Sequence, residues 1–535
     1  MKLQSRFFLL SILLFLFQQC ARKGRPEGGP KDEDAPIMLV AKPANESVNF
    51  KDNSIRIYFD EYVTLKDLNK QLIVSPPFKN PPLITPQGTP SKYINIKILD
   101  TLKENTTYTF NFGNAIQDNN EGNKIENFKY VLSTGDLIDS LTIKGVVRDI
   151  EKKLPTKNYS LLLYKLDSTY NDSIVYKEKP NYVTRTIDST NYKFTNIGEG
   201  EYAIFAIDEE VSNYKFDPKT DKIGFLNTSV SLPKDSIIDS DMVLFSELLP
   251  YKLKRGKQTH KGKIQFGYTG KQTDMKVRLL SNTPKNFKFY TKFEEDKDTL
   301  NYWYAPIDIK ADSLNFIISN KNVIDTATVF LRKKKLDSLS ISSSVKGNLH
   351  LTDTLFLKAN NPIIKVDEDK FSLMKSDSIP VEYELKKHDI NTFAIFFQKE
   401  IKTPYTLQVL PEAFQDLYDV KSKDTLNYKF NTKDIEDYGT IFLDVKKKFD
   451  NPVIIEILAK DELIRTQYVE TSKTIEFKLL EPRQYVIRAI IDDNKNGVWD
   501  TGNLLKKQQP EKIIYFSQKL KVRANWSFNE TFTIE

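Results

Sequence analysis

Cysteine is almost absent from this sequence: of 535 residues only Cys20 is one. No disulfide can close within the chain, so whatever folds must be held by its own apolar core. Histidine is nearly as scarce. His260, His350 and His388 are the whole supply, which leaves few bases that titrate near neutral pH. Also missing are G-x-S-x-G, H-E-x-x-H and any glycine loop that would cradle phosphate. Covalent catalysis needs a nucleophile, a base and an orienting group within reach. The expectation is therefore no enzyme activity and no small-molecule substrate. Neither charge is in large excess, with 79 Lys and Arg against 72 Asp and Glu, a net +7. The densest basic runs, "YKLKRGK" from Tyr251 and "RKKK" from Arg332, are short. They read as solvated linker or strand-end charge, and no polyanion partner, nucleic acid included, is implied.

What is present begins at the N-terminus, with Lys2 and Arg6, an apolar run over residues 7–17, and then Cys20. That run is well short of the ~20 residues a spanning helix needs, so it reads as the core of a signal peptide, residues 1–19. No later apolar run is long enough to span a bilayer. Cys20 stands where a bacterial lipoprotein would be cut and acylated, although Gln19 replaces the small residue usual before that cysteine. Residues 20–36, "CARKGRPEGGPKDEDAP", hold too little apolar surface to fold and read as a flexible tether.

From Ile37 onward the dominant signal is alternation. "SIRIYFDEYV" from Ser54 puts Ile55, Ile57 and Phe59 on one face, and "YINIKI" and "TTYTFNFG" repeat the period of two. Convincing amphipathic helices are scarce. The fold class is all-β, a linear array of sandwiches of about 100 residues each.

Two of the patterns resemble known families. "IRIYFDEYV", "LIVSPP", "YINIKILDTLKENTTYTFNFGNAIQDNNEGN" and "FKYVLSTGD" together resemble the bacterial Ig-like domain of the S-layer type, common in surface lipoproteins of Bacteroidota. The resemblance implies core roles for Phe59 and Tyr108; Asp60 and Glu61 read as a solvated acid pair at a strand end. Next, "SLTIKGVVRD", "NYSLLLYKLD" and "YKFTNIGEGEYAIFAIDEE" resemble the transthyretin-like module that serves as a regulatory appendage in carboxypeptidases. It implies a tight turn at Gly200 and Tyr202 leading into a core strand. The zinc site of those enzymes is absent, since the three histidines lie far apart and none begins an H-x-x-E pair.

Both patterns recur. "TLFLKANNPIIKVDEDKFSL" with "YTLQVLPEAFQDLYDVKSKDTLNYKFNTKD" echoes the Ig-like pattern, "FNTKD" standing for "LSTGD". "GTIFLDV" with "IEFKLLEPRQYVIRAIIDDNKNG" echoes the transthyretin-like one. The expected organisation is an Ig-like domain at 37–136, a transthyretin-like sandwich at 137–250, a sandwich of unknown type at 251–335, a degenerate Ig-like domain at 336–435, and a second transthyretin-like sandwich at 436–535.

"IIDDNKNGVWDTGN" has the start of a calcium loop. Asp492, Asn494, Asn496 and Asp500 would offer oxygens, Gly497 the sharp turn and Val498 a carbonyl, but position twelve is Asn503 instead of a bidentate acid. "QYVIRAII" before it reads as a strand where an EF-hand needs a helix. The matching stretch "AIDEEVSNYKFDPKTD" keeps Asp208 and Asp217 without the Asn and Gly, so a turn rich in residues that tolerate positive φ is the competing reading. No other cofactor is implied. Trp303 and Trp526 read as strand packing or, alternatively, as sugar platforms, with Trp526 more often core at such a place. The triplet Asp, then Ser or Thr, then an apolar residue occurs eleven times, against roughly two from composition. It resembles the O-glycosylation sequon of Bacteroidota, which would put sugar on Thr101, Ser140, Ser173, Ser236, Thr299, Ser313, Thr326, Ser338, Thr354, Ser378 and Thr425. The same triplet also describes how many strands begin.

The function expected is that of a non-enzymatic lipoprotein scaffold, lipid-anchored in the outer membrane on a face that remains open. It would engage an envelope protein partner such as an assembly or export machine in the same membrane. The alternative is a surface glycan-binding lipoprotein.

Overall fold

The computed structural model describes residues 31–153, 158–186, 190–239, 241–295 and 297–535. The residues read as a signal peptide, Cys20 and most of those read as a tether lie outside the described residues. Of the described residues 50% are strand and 3% helix, and no described helix is long and apolar enough to cross a membrane.

Alternation produces the strands as expected. In Ser54–Leu65, Ile55, Ile57 and Phe59 turn inward while Ser54, Arg56 and Asp60 stay exposed. Strands Met38–Lys42, Ser54–Leu65, Ser91–Lys97 and Leu83–Thr85 lie side by side in one sheet. Ile73–Ser75, Thr107–Gly113 and Phe128–Ser133 make the facing sheet, with Phe59, Tyr108 and Phe110 buried between them. The fourth sandwich repeats this order. There Ile341–Ser343, Leu355–Ala359, Thr392–Phe397 and Tyr383–Lys387 face a sheet centred on Phe371–Lys375, Pro404–Val409 and Leu426–Asn431.

The correspondence reaches individual hydrogen bonds. Tyr108 Oη accepts from Lys103 N at 2.9 Å, and Tyr405 Oη from Glu400 N at 2.8 Å, in each case reaching five residues upstream as a tyrosine corner does. Thr134 Oγ1 accepts from Thr106 N, and Thr432 Oγ1 from Thr403 N, at the aligned "STGD" and "NTKD". Each copy also ends a short strand on a buried Asp, in "AIQD" at Asp118 and "AFQD" at Asp416.

The second and fifth sandwiches are likewise twins. Asn191–Ile197, Leu141–Asp149 and Met242–Leu244 form one sheet, the last pair parallel; Lys473–Leu480, Gly439–Lys447 and Ser527–Ile534 match it, again with a parallel last pair. The other sheet runs Tyr182–Arg185, Ser160–Lys165, Gly200–Asp208, Lys222–Phe225 in one copy. In its twin it runs Glu462–Val469, Val453–Ala459, Gln484–Ile491, Ile513–Tyr515. Gly200 sits at φ 147°. Tyr202 Oη donates to Gly198 O, and Tyr485 Oη to Glu481 O, both at 2.9 Å. The segment between the twins is a two-layer sandwich around Phe266, Tyr302, Leu314 and Phe316.

One expectation needs correction: the array is tandem in sequence but not linear in space. First and second sandwiches touch through Val183 N to Ser75 Oγ at 3.1 Å. Third and fourth meet at Tyr418 Oη to Gly262 O, 2.8 Å, and Lys292 Nζ to Asp389 Oδ2, 2.7 Å. His350 Nε2 reaches Leu479 O at 2.8 Å between fourth and fifth. The fifth then returns to the second, where Thr501 Oγ1 donates to Ser246 O at 2.6 Å and Gln509 Nε2 to Phe225 O at 2.9 Å. The cause lies in the central strand "SLLLYK", whose first five residues are all buried. Leu161 and Leu163 face the core of their own sandwich, while Leu162 and Tyr164 face outward with Phe205 and Ile207. That outer face is too apolar to leave in water, and Trp499 and Leu504 of the fifth sandwich help to cover it.

Candidate functional site

The calcium-like loop follows strand Gln484–Ile491 and no helix flanks it. Asp492 is fully buried. Its Oδ1 accepts from Asn496 N at 3.0 Å and its Oδ2 from Gly497 N at 2.8 Å. Asn494 Oδ1 accepts from Asn496 N, Asn496 Oδ1 accepts from Val498 N, and Asn496 Nδ2 donates to Asp500 Oδ2 at 2.6 Å. The oxygens proposed as ligands are thus engaged with donors of the loop itself, which needs them because Lys495 and Gly497 take positive φ, 60° and 78°. Asn503 stands apart, pairing with Gln508.

A residue that the spacing argument missed closes the loop. Glu511, buried, accepts from Asp493 N and from Asp500 N, both at 2.9 Å. Burial pushes its carboxyl up, with Asp500 and Asp492 adding to the effect against the two N–H donors. Among the described residues no group of three or more His, Cys, Asp or Glu is placed to hold a metal ion.

The twin loop shows the same design and corrects the alignment. Counting from Tyr202 and Tyr485, the partner of Asp492 is Glu209 and not Asp208. Glu209 Oε2 accepts from Asn213 N and Tyr214 N at 2.9 Å, four and five residues on, as Asp492 does. Asp221 then plays the part of Glu511, accepting from Glu210 N at 3.2 Å and Asp217 N at 2.9 Å. The shared "I-D" letters had shifted the alignment by one residue. Asp208 pairs across the ladder with Lys222 instead.

Where the twins meet, a cleft of about 770 Å³ opens between edge strands Lys222–Phe225 and Ile513–Tyr515. Phe225, Leu226, Val243, Ile513 and Ile514 give it apolar walls. Arg148 pairs with Asp241 at 2.6 Å on its rim, and Lys222 pairs with buried Asp149 at 2.9 Å and with Glu151 at 2.6 Å. Tyr515 Oη donates to Ile150 O at 3.2 Å, and Lys153 Nζ to Phe516 O at 2.6 Å, so both twins hold the cleft's floor. A groove walled by side chains and bounded by sheet edges accepts an extended segment more readily than a compact molecule.

Other expected residues separate clearly. Trp303 is 2% exposed, packed in the third sandwich with Lys263 Nζ 5.0 Å from its ring, so it is no sugar platform. Trp526 is 55% exposed with the Arg523 guanidinium 5.0 Å from its ring, which overturns its expected core place. It precedes strand Ser527–Ile534 in a turn set by Asn525 at φ 56°, so the inward phase of that strand begins after it. Asp60 is exposed; Glu61 is half-buried, its carboxyl raised by burial and by Asp118 and Asp60. His260, His350 and His388 remain in separate settings: beside Asp337 at 3.9 Å, against Tyr438 at 4.8 Å between ring centres, and exposed beside Phe356.

Of the eleven sequon hydroxyls, Thr101, Ser140, Ser236, Thr326, Ser338, Ser378 and Thr425 are exposed, and Ser173, Thr299, Ser313 and Thr354 half-buried. Thr299 and Ser313 open strands, and Ser140, Thr354 and Thr425 immediately precede them.

No curated protein matches the chain. Among solved structures it is similar to the I9–I11 tandem of titin, at 8% identity over 53% of this chain and 100% of that one, TM-score 0.13. It is similar to the S-layer protein rSbsC at 12% identity over 91% of this chain and 67% of that one, TM-score 0.14. The TIE protein of Bacillus anthracis is a third, at 9% identity over 95% and 76%, TM-score 0.13. No functional reading rests on these three. The first sandwich is matched by a family as well: residues 32–134 fit the one described as Bacterial Ig-like domain.

Proposed function

We propose that the chain is a non-enzymatic scaffold of the bacterial cell envelope, lipid-anchored through Cys20 in the outer membrane. Its fifth and second sandwiches together would present a docking cleft to an envelope protein, such as a component of an assembly or export machine. The observation that carries the reading is the state of the buried acids. Asp118, Asp149, Asp221, Asp416, Glu456, Asp492 and Glu511 are the buried carboxylates among the described residues. Asp149 is tied to Lys222 and Glu456 to Arg488. Asp118, Asp221, Asp416, Asp492 and Glu511 are tied to backbone N–H groups. Groups held this way brace the fold; Asp149 alone among them lines the cleft, and its carboxylate is taken up by Lys222.

A photo-crosslinker in place of Ile514, in the lipidated full chain, tests the reading. The expected result is a crosslink to an integral membrane protein that also co-purifies in mild detergent. A monomer with no crosslink would count against it. The glycan-binding alternative draws on one observation, the exposure of Trp526. It expects oligosaccharides to quench fluorescence in the wild type and not in Trp526→Ala, whereas the scaffold reading expects no quenching. O-linked sugar on the eleven sequon hydroxyls belongs to the same proposal; intact-mass and peptide mapping of protein from its native host would show it as added hexose mass.

A further inference from the structure

The two basic runs, 77 residues apart from Arg255 to Arg332 in the sequence, meet in space. Arg255 and Lys257 line one side of a groove of about 410 Å³ in the third sandwich, and Arg332 and Lys334 the other. Two contacts join them. Gly256 lies so close to the end of strand Val323–Phe330 that a Cβ there would stand 2.7 Å from Val329 Cγ2. Buried Gln258 accepts at Oε1 from Arg332 N at 2.7 Å.

All four groove cations are exposed, as are Lys252, Lys254, Lys333 and Lys335 beside them. Among the described residues none of these forms an ion pair with a carboxylate, although Lys261, Lys276 and Lys292 of the same sandwich each do. Unpaired like charges in one patch repel one another, and the fold keeps them together without a counter-charge. Phe330, 55% exposed, stands on the groove wall among them.

We infer that this basic groove is a docking surface for an anionic lipid bilayer, the cations meeting phosphate headgroups and Phe330 entering the boundary between headgroups and acyl chains. Charge complementarity sets the sign of the partner. Residues two apart in an extended run share a side, so Arg255 with Lys257 and Arg332 with Lys334 set two rows of charge on one face instead of a single line. A field of that kind suits a surface of many anions better than the fixed register of one acidic peptide. Clustered Lys and Arg with an adjacent apolar side chain is the chemistry by which peripheral proteins bind such surfaces. The inference leans on the envelope reading only in choosing a lipid over another polyanion; it does not use Cys20.

The test is co-sedimentation of the full chain with phosphatidylcholine vesicles, with and without phosphatidylglycerol. Lys2, Arg6 and the apolar run at 7–17 are the same in every variant, so the readout is how each variant changes the difference between the two kinds of vesicle. The expected result is tighter binding to the anionic vesicles. It should weaken as salt rises toward 1 M, where the screening length falls from about 10 Å to about 3 Å. Converting Arg255, Lys257, Arg332 and Lys334 to Gln should lower the anionic-specific partition at least a hundredfold, by roughly fivefold per cation. The same number of changes at exposed Lys271, Lys285, Lys310 and Lys321 should leave it within a few-fold.

Phe330→Ser should cost roughly tenfold at every salt concentration. Equal losses in the two four-residue variants would mean that net charge alone acts, and would overturn the inference. So would equal binding to the two kinds of vesicle, or capture of polyglutamate without any preference for anionic lipid. Vesicle binding without any envelope partner at the Ile514 crosslinker would leave this inference standing and remove the scaffold reading.

Discussion

Asp492→Asn exchanges one acceptor oxygen for a donor at a point where two backbone N–H groups already converge, those of Asn496 at 3.0 Å and Gly497 at 2.8 Å. With its oxygen toward Gly497 N, the new amide sets a buried NH2 donor against the Asn496 N–H, which keeps only Asn494 Oδ1 as its acceptor, so one charged hydrogen bond is lost and two donors face each other. A hydrogen bond to a charged group contributes about 1.5–3 kcal/mol, and an unsatisfied buried donor costs about 1–3 kcal/mol. The expected loss is therefore about 3 kcal/mol or more, a large part of the 5–15 kcal/mol typical of a whole domain.

A global melt of so many sandwiches is not two-state. The assay is instead native-state hydrogen exchange read in strands Gln484–Ile491 and Ile513–Tyr515, which flank the loop. A loss of about 3 kcal/mol appears there as a fall in protection of roughly 150-fold. Glu209→Ala, which removes the one oxygen that both Asn213 N and Tyr214 N use, should lower protection in Gly200–Asp208 and Lys222–Phe225 and leave the fifth sandwich alone. Because the loop's oxygens are already matched by its own donors, protection should be equal in chelator and in excess calcium. A rise of tenfold or more with calcium, abolished by Asp492→Asn, would refute this account and restore a metal loop; wild-type protection in Asp492→Asn without metal would refute it as well.

Three further outcomes follow from contacts already described. Gly502→Val should undock the fifth sandwich from the second, since a Cβ there would meet Phe245 Cζ at 2.6 Å and Gln508 O at 2.7 Å; small-angle scattering should report a larger radius of gyration with the strands themselves still protected. Tyr108→Phe and Tyr405→Phe each remove the acceptor of one backbone N–H and should each cost about 1–2 kcal/mol in their own sandwich only, measured by urea midpoints from footprinting mass spectrometry. The same footprinting against pH should separate the two Ig-like copies. Burial alone would raise the Asp118 carboxyl, but backbone donors from Gly122, Glu121 and Asn123 outweigh it and hold it below the usual range. Its contribution is present above the unfolded value near 3.9 and lost as pH falls through the lower folded value. Burial leaves Asp416 raised in spite of Asn361, Val420 and Tyr418, so its contribution is present below that value and lost as pH rises through the folded one. Acidification through about pH 4 should weaken the first copy through Asp118 and favour the fourth through Asp416, and Asp118→Asn and Asp416→Asn should each flatten the corresponding trend.

The parts of the fold legible in the sequence were those governed by neighbours along the chain. Period-two alternation placed Ile55, Ile57 and Phe59 inward, and the Ig-like resemblance placed Tyr108 in the core; the hydrogen bonds that "NTTYTF" and "KTPYTL" make over five residues emerge from the structure. The alternation and the stretch around each tyrosine are local, so a single sequence contains them whole. Glu511 was not legible because it lies nineteen residues beyond Asp492, outside any twelve-residue template, and acts on backbone N–H groups that any residue type would offer. Trp526 was misjudged because the phase of a strand cannot be assigned until its first paired residue is known, and that residue is Ser527. The doubling back of the chain left a signal that alternation arguments pass over.

"SLLLY" and "VIIEILA" do not alternate, and their residues are buried throughout Ser160–Tyr164 and Val453–Ala459. A continuous apolar run in an antiparallel sheet states that both faces are covered. One face belongs to the sandwich's own core; the other needs a cover from elsewhere. In the second sandwich that cover comes from its own Val175 and Phe216 and from Trp499 and Leu504 of its twin. The loop that looked like a metal site is therefore part of the contact between the twins. Asp492 and Glu511 fix the shape of a segment whose two apolar residues, Trp499 and Leu504, close the second sandwich. The acids matter through the geometry they impose, and changing them should disturb the docking of the twins before it disturbs anything a ligand would report.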